Sequence, residues 1–312
     1  MRTTRSSANA FAAILTVLVL TVPGTARAQE DHDHDHERAS ARHLGHGHDH
    51  GGFPEYVDVF FTHHAYLERK IHPRVQSTMA DGDSEYEGSA ELAWRFSERI
   101  GGEVAVPYAV TDPETDEGAS GFGDVEVAPM VALVQDPERL LIVSARSGFV
   151  LPTGDEEEGL GIDGWGWEPA LLLWKGFGSD RRGALQAGVG YDRIFSDRGD
   201  DEEEIVYNLA FSWWLPSNFI PIVEFNGVTP IGVEVEEPHE AGHPEALSAA
   251  RGPLAAAHGG PEAGEDTLLA GTLGFRYAFA NGQQWGGGVQ VPLTGDDVFE
   301  ARLVVGGILH LR

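Results

Sequence analysis

The chain contains no cysteine, so no disulfide staples it. Basic residues are scarce, with 21 Lys and Arg against 50 Asp and Glu, and the net charge of −29 disfavours nucleic acid and anionic lipid as partners. Beyond the N-terminal run, no stretch approaches the roughly 20 continuous apolar residues of a spanning helix. Catalytic signatures are missing too. Gly121-Phe122-Gly123 lacks the third glycine of a dinucleotide loop, there is no G-x-S-x-G elbow, and no thiol nucleophile exists. The chain is therefore not read as an enzyme, and no cofactor is required.

What is present is alternation. Leu185, Ala187, Val189, Tyr191, Arg193 and Phe195 share one face of a strand, and Gln186, Gly188, Gly190 and Asp192 share the other. Leu269, Gly271, Leu273, Phe275, Tyr277 and Phe279 repeat the pattern against Ala270, Thr272, Gly274 and Arg276. A run of such segments from Glu85 onward predicts an all-β, antiparallel transmembrane β-barrel with its apolar face turned to lipid. At the N-terminus, Arg2 and Arg5 precede an apolar run from Ala10 to Val22, and Ala26-Arg27-Ala28 supplies a small-residue cleavage site. Residues 1–28 thus read as a signal peptide. An exported chain whose membrane-competent pattern is made of strands is expected in a bacterial outer membrane.

Residues 29–55 form a low-complexity arm rich in His and Asp, expected to be disordered and periplasmic. Residues 56–80 are a lead-in segment or a first strand. Tyr56 to Tyr66 is apolar enough to pack as a plug, whereas Pro73 weakens any strand across Lys70 to Met79. The barrel occupies residues 81–312, with a long loop at 232–266. Strands are expected near 85–96, 100–111, 122–134, 140–152, 165–177, 183–195, 204–214, 219–230, 267–279, 284–293 and 299–311, about twelve with the first. Connections alternate between short and long-acidic, as short periplasmic turns and long external loops do. Aromatic residues gather at both sets of strand ends, Phe96, Phe177, Trp213 and Phe279 at one and Tyr108, Trp165, Trp167 and Phe195 at the other.

Gly121-Phe-Gly-Asp-Val-Glu-Val127, followed about thirty residues later by Leu151-Pro-Thr-Gly-Asp155, resembles the paired motifs of the outer-membrane β-barrel family named for the meta-pathway of phenol degradation. Tyr66-Leu-Glu-Arg-Lys-Ile71 is similar to a segment of its relatives. The resemblance implies an outer-membrane barrel of transporter or channel type and carries no catalytic residues.

Two constellations could carry function. His32, His34 and His36, with His46, His48 and His50, alternate with Asp or Gly in the arm, and imidazole beside carboxylate suits zinc, nickel or copper. His239 and His243 in the long loop, four apart among glutamates, form a second metal candidate. His63 and His64 would point opposite ways in a strand and are read as incidental. The second constellation is the inward face, where Glu91, Glu103, Glu126, Arg146, Asp192, Glu224, Arg276 and Arg302 are expected to line the pore. The partners implied are outer-membrane lipid, small solutes or divalent cations, and a periplasmic protein reached through the arm. Three functions remain open: a channel or transporter-like barrel for small solutes with a divalent-metal connection, a barrel-anchored metal-binding module that does not conduct, and an outer-membrane lipid hydrolase.

Overall fold

The computed structural model describes residues 53, 56–80, 83–112, 119–178, 180–196, 201–231, 267–294 and 298–311. Among them run thirteen strands: β1 Lys70–Ala80, β2 Asp83–Arg95, β3 Ile100–Asp112, β4 Ser120–Phe122, β5 Val125–Asp136, β6 Leu141–Leu151, β7 Gly164–Phe177, β8 Gly183–Ser196, β9 Glu202–Trp213, β10 Phe219–Pro230, β11 Leu268–Ala278, β12 Gln284–Pro292 and β13 Ala301–His310. Sequential neighbours pair antiparallel except β4 and β5, which both pair with β3, and β1 returns to β13 from Lys70↔His310 to Met79↔Ala301, closing the sheet. The short β4 and the longer β5 pair with successive parts of β3, so together they make one stave of a twelve-stave barrel.

The alternation seen in the sequence is the alternation of burial. In β5 and β6 buried and more exposed positions succeed one another residue by residue. Leu171, Val189, Leu209, Leu273, Val289, Leu303 and Val305 are exposed on the outside. A continuous apolar exterior of this extent is a surface for hydrocarbon rather than water. At the strand ends outward rings pack in pairs: Trp165 on Phe195 with centroids 4.2 Å apart, Phe177 beside Phe211 and Trp213, Phe219 on Phe275, and Tyr277 beside Phe279. They form the two aromatic girdles that place such a barrel across a bilayer.

Pro73 does not prevent β1. It pairs opposite Ala90 of β2, while the ladder to β13 skips from Ile71↔Leu309 to Arg74↔Gly306. Where the ladder is interrupted, the Gly306 carbonyl accepts a hydrogen bond from the Arg276 guanidinium at 3.1 Å. The missing proline amide is thus tolerated because a side chain serves the backbone there.

The stave made of β4 and β5 breaks at Gly123-Asp124, where the two family-like motifs meet. Asp124 accepts from the Thr153 and Gly154 amides, each at 2.8 Å, and from the Ile162 amide at 2.6 Å. Thr153 in turn accepts from the Val125 amide at 2.9 Å. Burial pushes the Asp124 carboxyl above its ordinary range, opposed by these three backbone donors. The clamp folds the connection after β6 inward, so that Leu160 packs on Ala109, and Ile162 on Val150.

Candidate functional site

The lumen holds chain. Residues 56–69, ahead of β1, enter at the short-turn end, reach the middle of the barrel near residues 60–62 and return to Lys70. Tyr56, Val57, Val59, Phe60, Phe61, Ala65 and Tyr66 are all buried. Of the two readings of residues 56–80, the first fourteen residues are the plug and the rest are the strand.

A segment without regular secondary structure can be buried only if its amides and carbonyls find partners. Here the barrel wall supplies them from several staves. Glu224 of β10, wholly buried, accepts from the Phe60 and Phe61 amides at 2.5 and 3.0 Å, and from the Thr62 hydroxyl at 3.1 Å. Arg276 of β11, also wholly buried, donates to the Asp58 and Val59 carbonyls at 2.5 and 3.2 Å. Gln284 serves the Tyr56 carbonyl at 2.9 Å, Gln186 the Val57 carbonyl at 2.8 Å, and Ser144 the Ala65 carbonyl at 2.5 Å. The Phe60 ring lies against the inner wall where Gly274 leaves room: a Cβ there would stand 2.4 Å from the ring.

Within the plug, Asp58 is the hub. It accepts from Lys70 Nζ at 2.6 and 2.7 Å and from the Tyr66 hydroxyl. Burial alone would raise its carboxyl, yet Lys70, with His64 and His72 nearby, holds it well below the usual range. Tyr66 stacks on Tyr56 with centroids 4.1 Å apart, tying the two arms of the plug together.

A second network crosses adjacent staves. Arg146 of β6 bridges Glu126 of β5, and reaches Glu103 of β3 at 3.5 Å and Glu168 of β7 at 3.7 Å. Glu103 also faces His64 of the plug at 3.1 Å, so His64 is no incidental residue: the plug bends there instead of running as a strand. Further along the lumen, Arg302 donates to Gln290 at 3.3 Å, Gln290 to Asn226 at 3.1 Å, and Asn226 to Asn208 at 2.8 Å.

Of the residues expected inside, Glu103, Glu126, Arg146, Glu224, Arg276 and Arg302 are buried, while Glu91 and Asp192 are half-buried. Glu103, Glu126 and Arg146 form one cluster with Glu91 beside it, Glu224 and Arg276 hold the plug, and Asp192 stands apart near the far end of β8. What Glu224 and Arg276 meet is polypeptide rather than open water. His32, His34, His36, His46, His48, His50, His239 and His243 all lie outside the described residues. Sequence reasoning missed the plug anchors Gln186, Gln284 and Ser144, and the role of Lys70. The signal available was a polar residue at an inward position of an otherwise apolar strand segment.

A closed antiparallel barrel with an apolar exterior and a charged, hydrogen-bonded interior is a transmembrane β-barrel of the outer-membrane type. The model of the family described as "Putative MetA-pathway of phenol degradation" matches residues 80–229, from the end of β1 into β10, so the resemblance carried by the Asp124 and Thr153-Gly154 motifs extends across that stretch. No curated protein matches the sequence. Among solved structures, the chain is similar to an outer membrane channel from Pseudomonas putida F1, with a TM-score of 0.54 and 10% identity over 82% of this chain and 100% of that one. It is also similar to the NanC porin, with a TM-score of 0.50 and 10% identity over 77% of this chain and 100% of that one. At such identities the likeness is one of fold.

Proposed function

We propose that this protein is a passive channel of the bacterial outer membrane for small solutes, closed in the described state by its own N-terminal segment. One observation carries the reading. The barrel is wide enough to admit a polypeptide that passes in and returns, so withdrawal of residues 56–69 leaves an aqueous path of that width lined by charges of both signs. A plug held by side-chain hydrogen bonds to backbone, each contributing about 1 kcal/mol net, can leave without unfolding the wall. The plug enters at the short-turn end, which we take as periplasmic. On this reading the His-rich arm lies in the periplasm, where a partner pulling on it would draw the plug out and where it would take up zinc, nickel or copper.

A second reading is favoured by the density of plug hydrogen bonds: the barrel only anchors a metal-binding arm and conducts nothing. Planar-bilayer recordings separate the two. The full chain should give rare, brief openings, and Glu224→Ala combined with Arg276→Gln should raise the open fraction severalfold. Folded variant protein that never opens would overturn the channel in favour of the anchored module.

A further inference from the structure

Where the returning arm of the plug touches the wall, three metal-ligating side chains converge. His64 from the plug, Glu91 from β2 and Glu103 from β3 each bring one donor atom, all within 4.8 Å of one another. The wall positions are fixed by the sheet: Glu91 pairs opposite Ala105 and Glu103 opposite Ala93, so the two glutamates are diagonal neighbours on the inner face. We propose that His64, Glu91 and Glu103 form an intraluminal site for a divalent first-row transition metal that latches the plug to the barrel wall.

Two further observations point to a cation. The Oε1 oxygen of Glu91 is sealed from solvent and accepts no hydrogen bond among the described residues. A carboxylate oxygen buried in this way is costly unless something positive meets it. Charge is also unbalanced along this wall. Glu91, Glu103, Glu126 and Glu168 lie on neighbouring staves with Arg146 as the guanidinium among them, while the adjacent Lys70 is held by Asp58. A divalent ion offsets the surplus, and the nitrogen ligand with two carboxylates favours zinc, manganese, iron or cobalt over calcium.

Metal binding would change the tautomer of His64. His64 Nε2 lies 3.1 Å from Glu103, on the side of the cluster, and metal on Nε2 requires the imidazole proton on Nδ1. Nδ1 looks toward Asp58, 3.9 Å away, and toward Lys70 at 3.4 Å, the ammonium that Asp58 already binds through both oxygens. The ammonium can only donate, so without metal Nδ1 accepts from Lys70 and Nε2–H donates to Glu103; a metal on Nε2 would displace that contact and move the proton to Nδ1, with Lys70 turned wholly to Asp58. Glu91 completes the set by rotation, since no partner holds its Oε1. Beside it lies a cavity of about 40 Å³, lined in part by His63, Thr62 and Ser89, with room for a water ligand.

The site is distinct from the His-rich arm and does not depend on conduction. The test uses the full chain, refolded and loaded with zinc chloride, then washed to constant metal content. Wild type should retain one zinc per chain more than Glu91→Gln and Glu103→Gln, whose arms are unchanged. Crystals of the wild type grown with zinc should show anomalous density between His64 and the two glutamates. Equal zinc retention in folded wild type and variants, or no such density, would overturn the site whatever the bilayer recordings show.

Discussion

At the scale of single residues, the paired motifs are explained by one carboxylate. Asp124 satisfies the amides of Thr153, Gly154 and Ile162, and Gly154 is needed because a Cβ there would stand 2.2 Å from the Leu160 carbonyl oxygen. Replacing Asp124 by Ala leaves these amides without their acceptor, a loss of about 1–3 kcal/mol for a buried group left unsatisfied. The connection between β6 and β7 should then open, read as new proteolytic cleavage within 155–163 while β-sheet circular dichroism is retained. The outer face obeys a different rule. Leu273 is 69% exposed on the exterior, whereas its neighbour Thr272 is buried inside. Near the bilayer midplane, Leu273→Arg should cost roughly 2–4 kcal/mol in urea unfolding from lipid vesicles. Thr272→Ser should cost far less in the same measurement, and equal costs would contradict a lipid-facing exterior.

Among the elements, the plug is the one whose stability is separable from the barrel. Its contacts with the wall span great sequence distances, Phe60 and Glu224 being 164 residues apart. Glu224→Ala should speed amide hydrogen exchange across residues 57–68 by about tenfold or more, corresponding to one to two lost hydrogen bonds at about 1 kcal/mol each. Exchange in β6 to β9 should stay unchanged, and a uniform rise through the barrel would show instead that the plug is part of the wall's folding unit. The strands themselves were legible because period-two alternation is local: β8 at Gly183–Ser196 falls almost where its pattern of Leu185, Val189 and Gln186 puts it. The break between β4 and β5 was not, since it is imposed by the loop after β6 and not by any property of Gly123 or Asp124 alone. Nor was the course of the plug. Val57, Val59, Phe60 and Phe61 announce burial, but which of the inward polar residues would answer their backbone depends on barrel closure.

For the molecule as a whole, charge is the property that reaches beyond any contact. The net charge is −29, yet inside the barrel Lys70, Arg74, Arg146, Arg276 and Arg302 are set against Asp58, Glu68, Glu87, Glu91, Glu103, Glu126, Glu168, Glu204 and Glu224, so the lumen keeps only a small part of the acidic excess. The rest sits elsewhere, partly at the long-loop mouth, where Glu157 and Glu158 are exposed and Glu202 and Glu203 are half-buried. A mouth of one sign concentrates cations ahead of a narrow lumen. Open channels, obtained by loosening the plug, should therefore favour potassium over chloride in reversal-potential measurements. Because the loop charges act through water, that part of the preference should fall as salt rises from 0.1 M to 1 M, where the screening length shrinks from about 10 Å to about 3 Å. A remainder should persist at 1 M, set by buried Glu126 and Glu103 on the lumen wall, because buried charges are screened less than exposed ones. Neutralising Glu156, Glu157 and Glu158 to Gln together should reduce the salt-dependent part and leave the remainder unchanged. Chloride preference, or a selectivity indifferent to both salt and the loop substitutions, would show that the mouth does not govern entry.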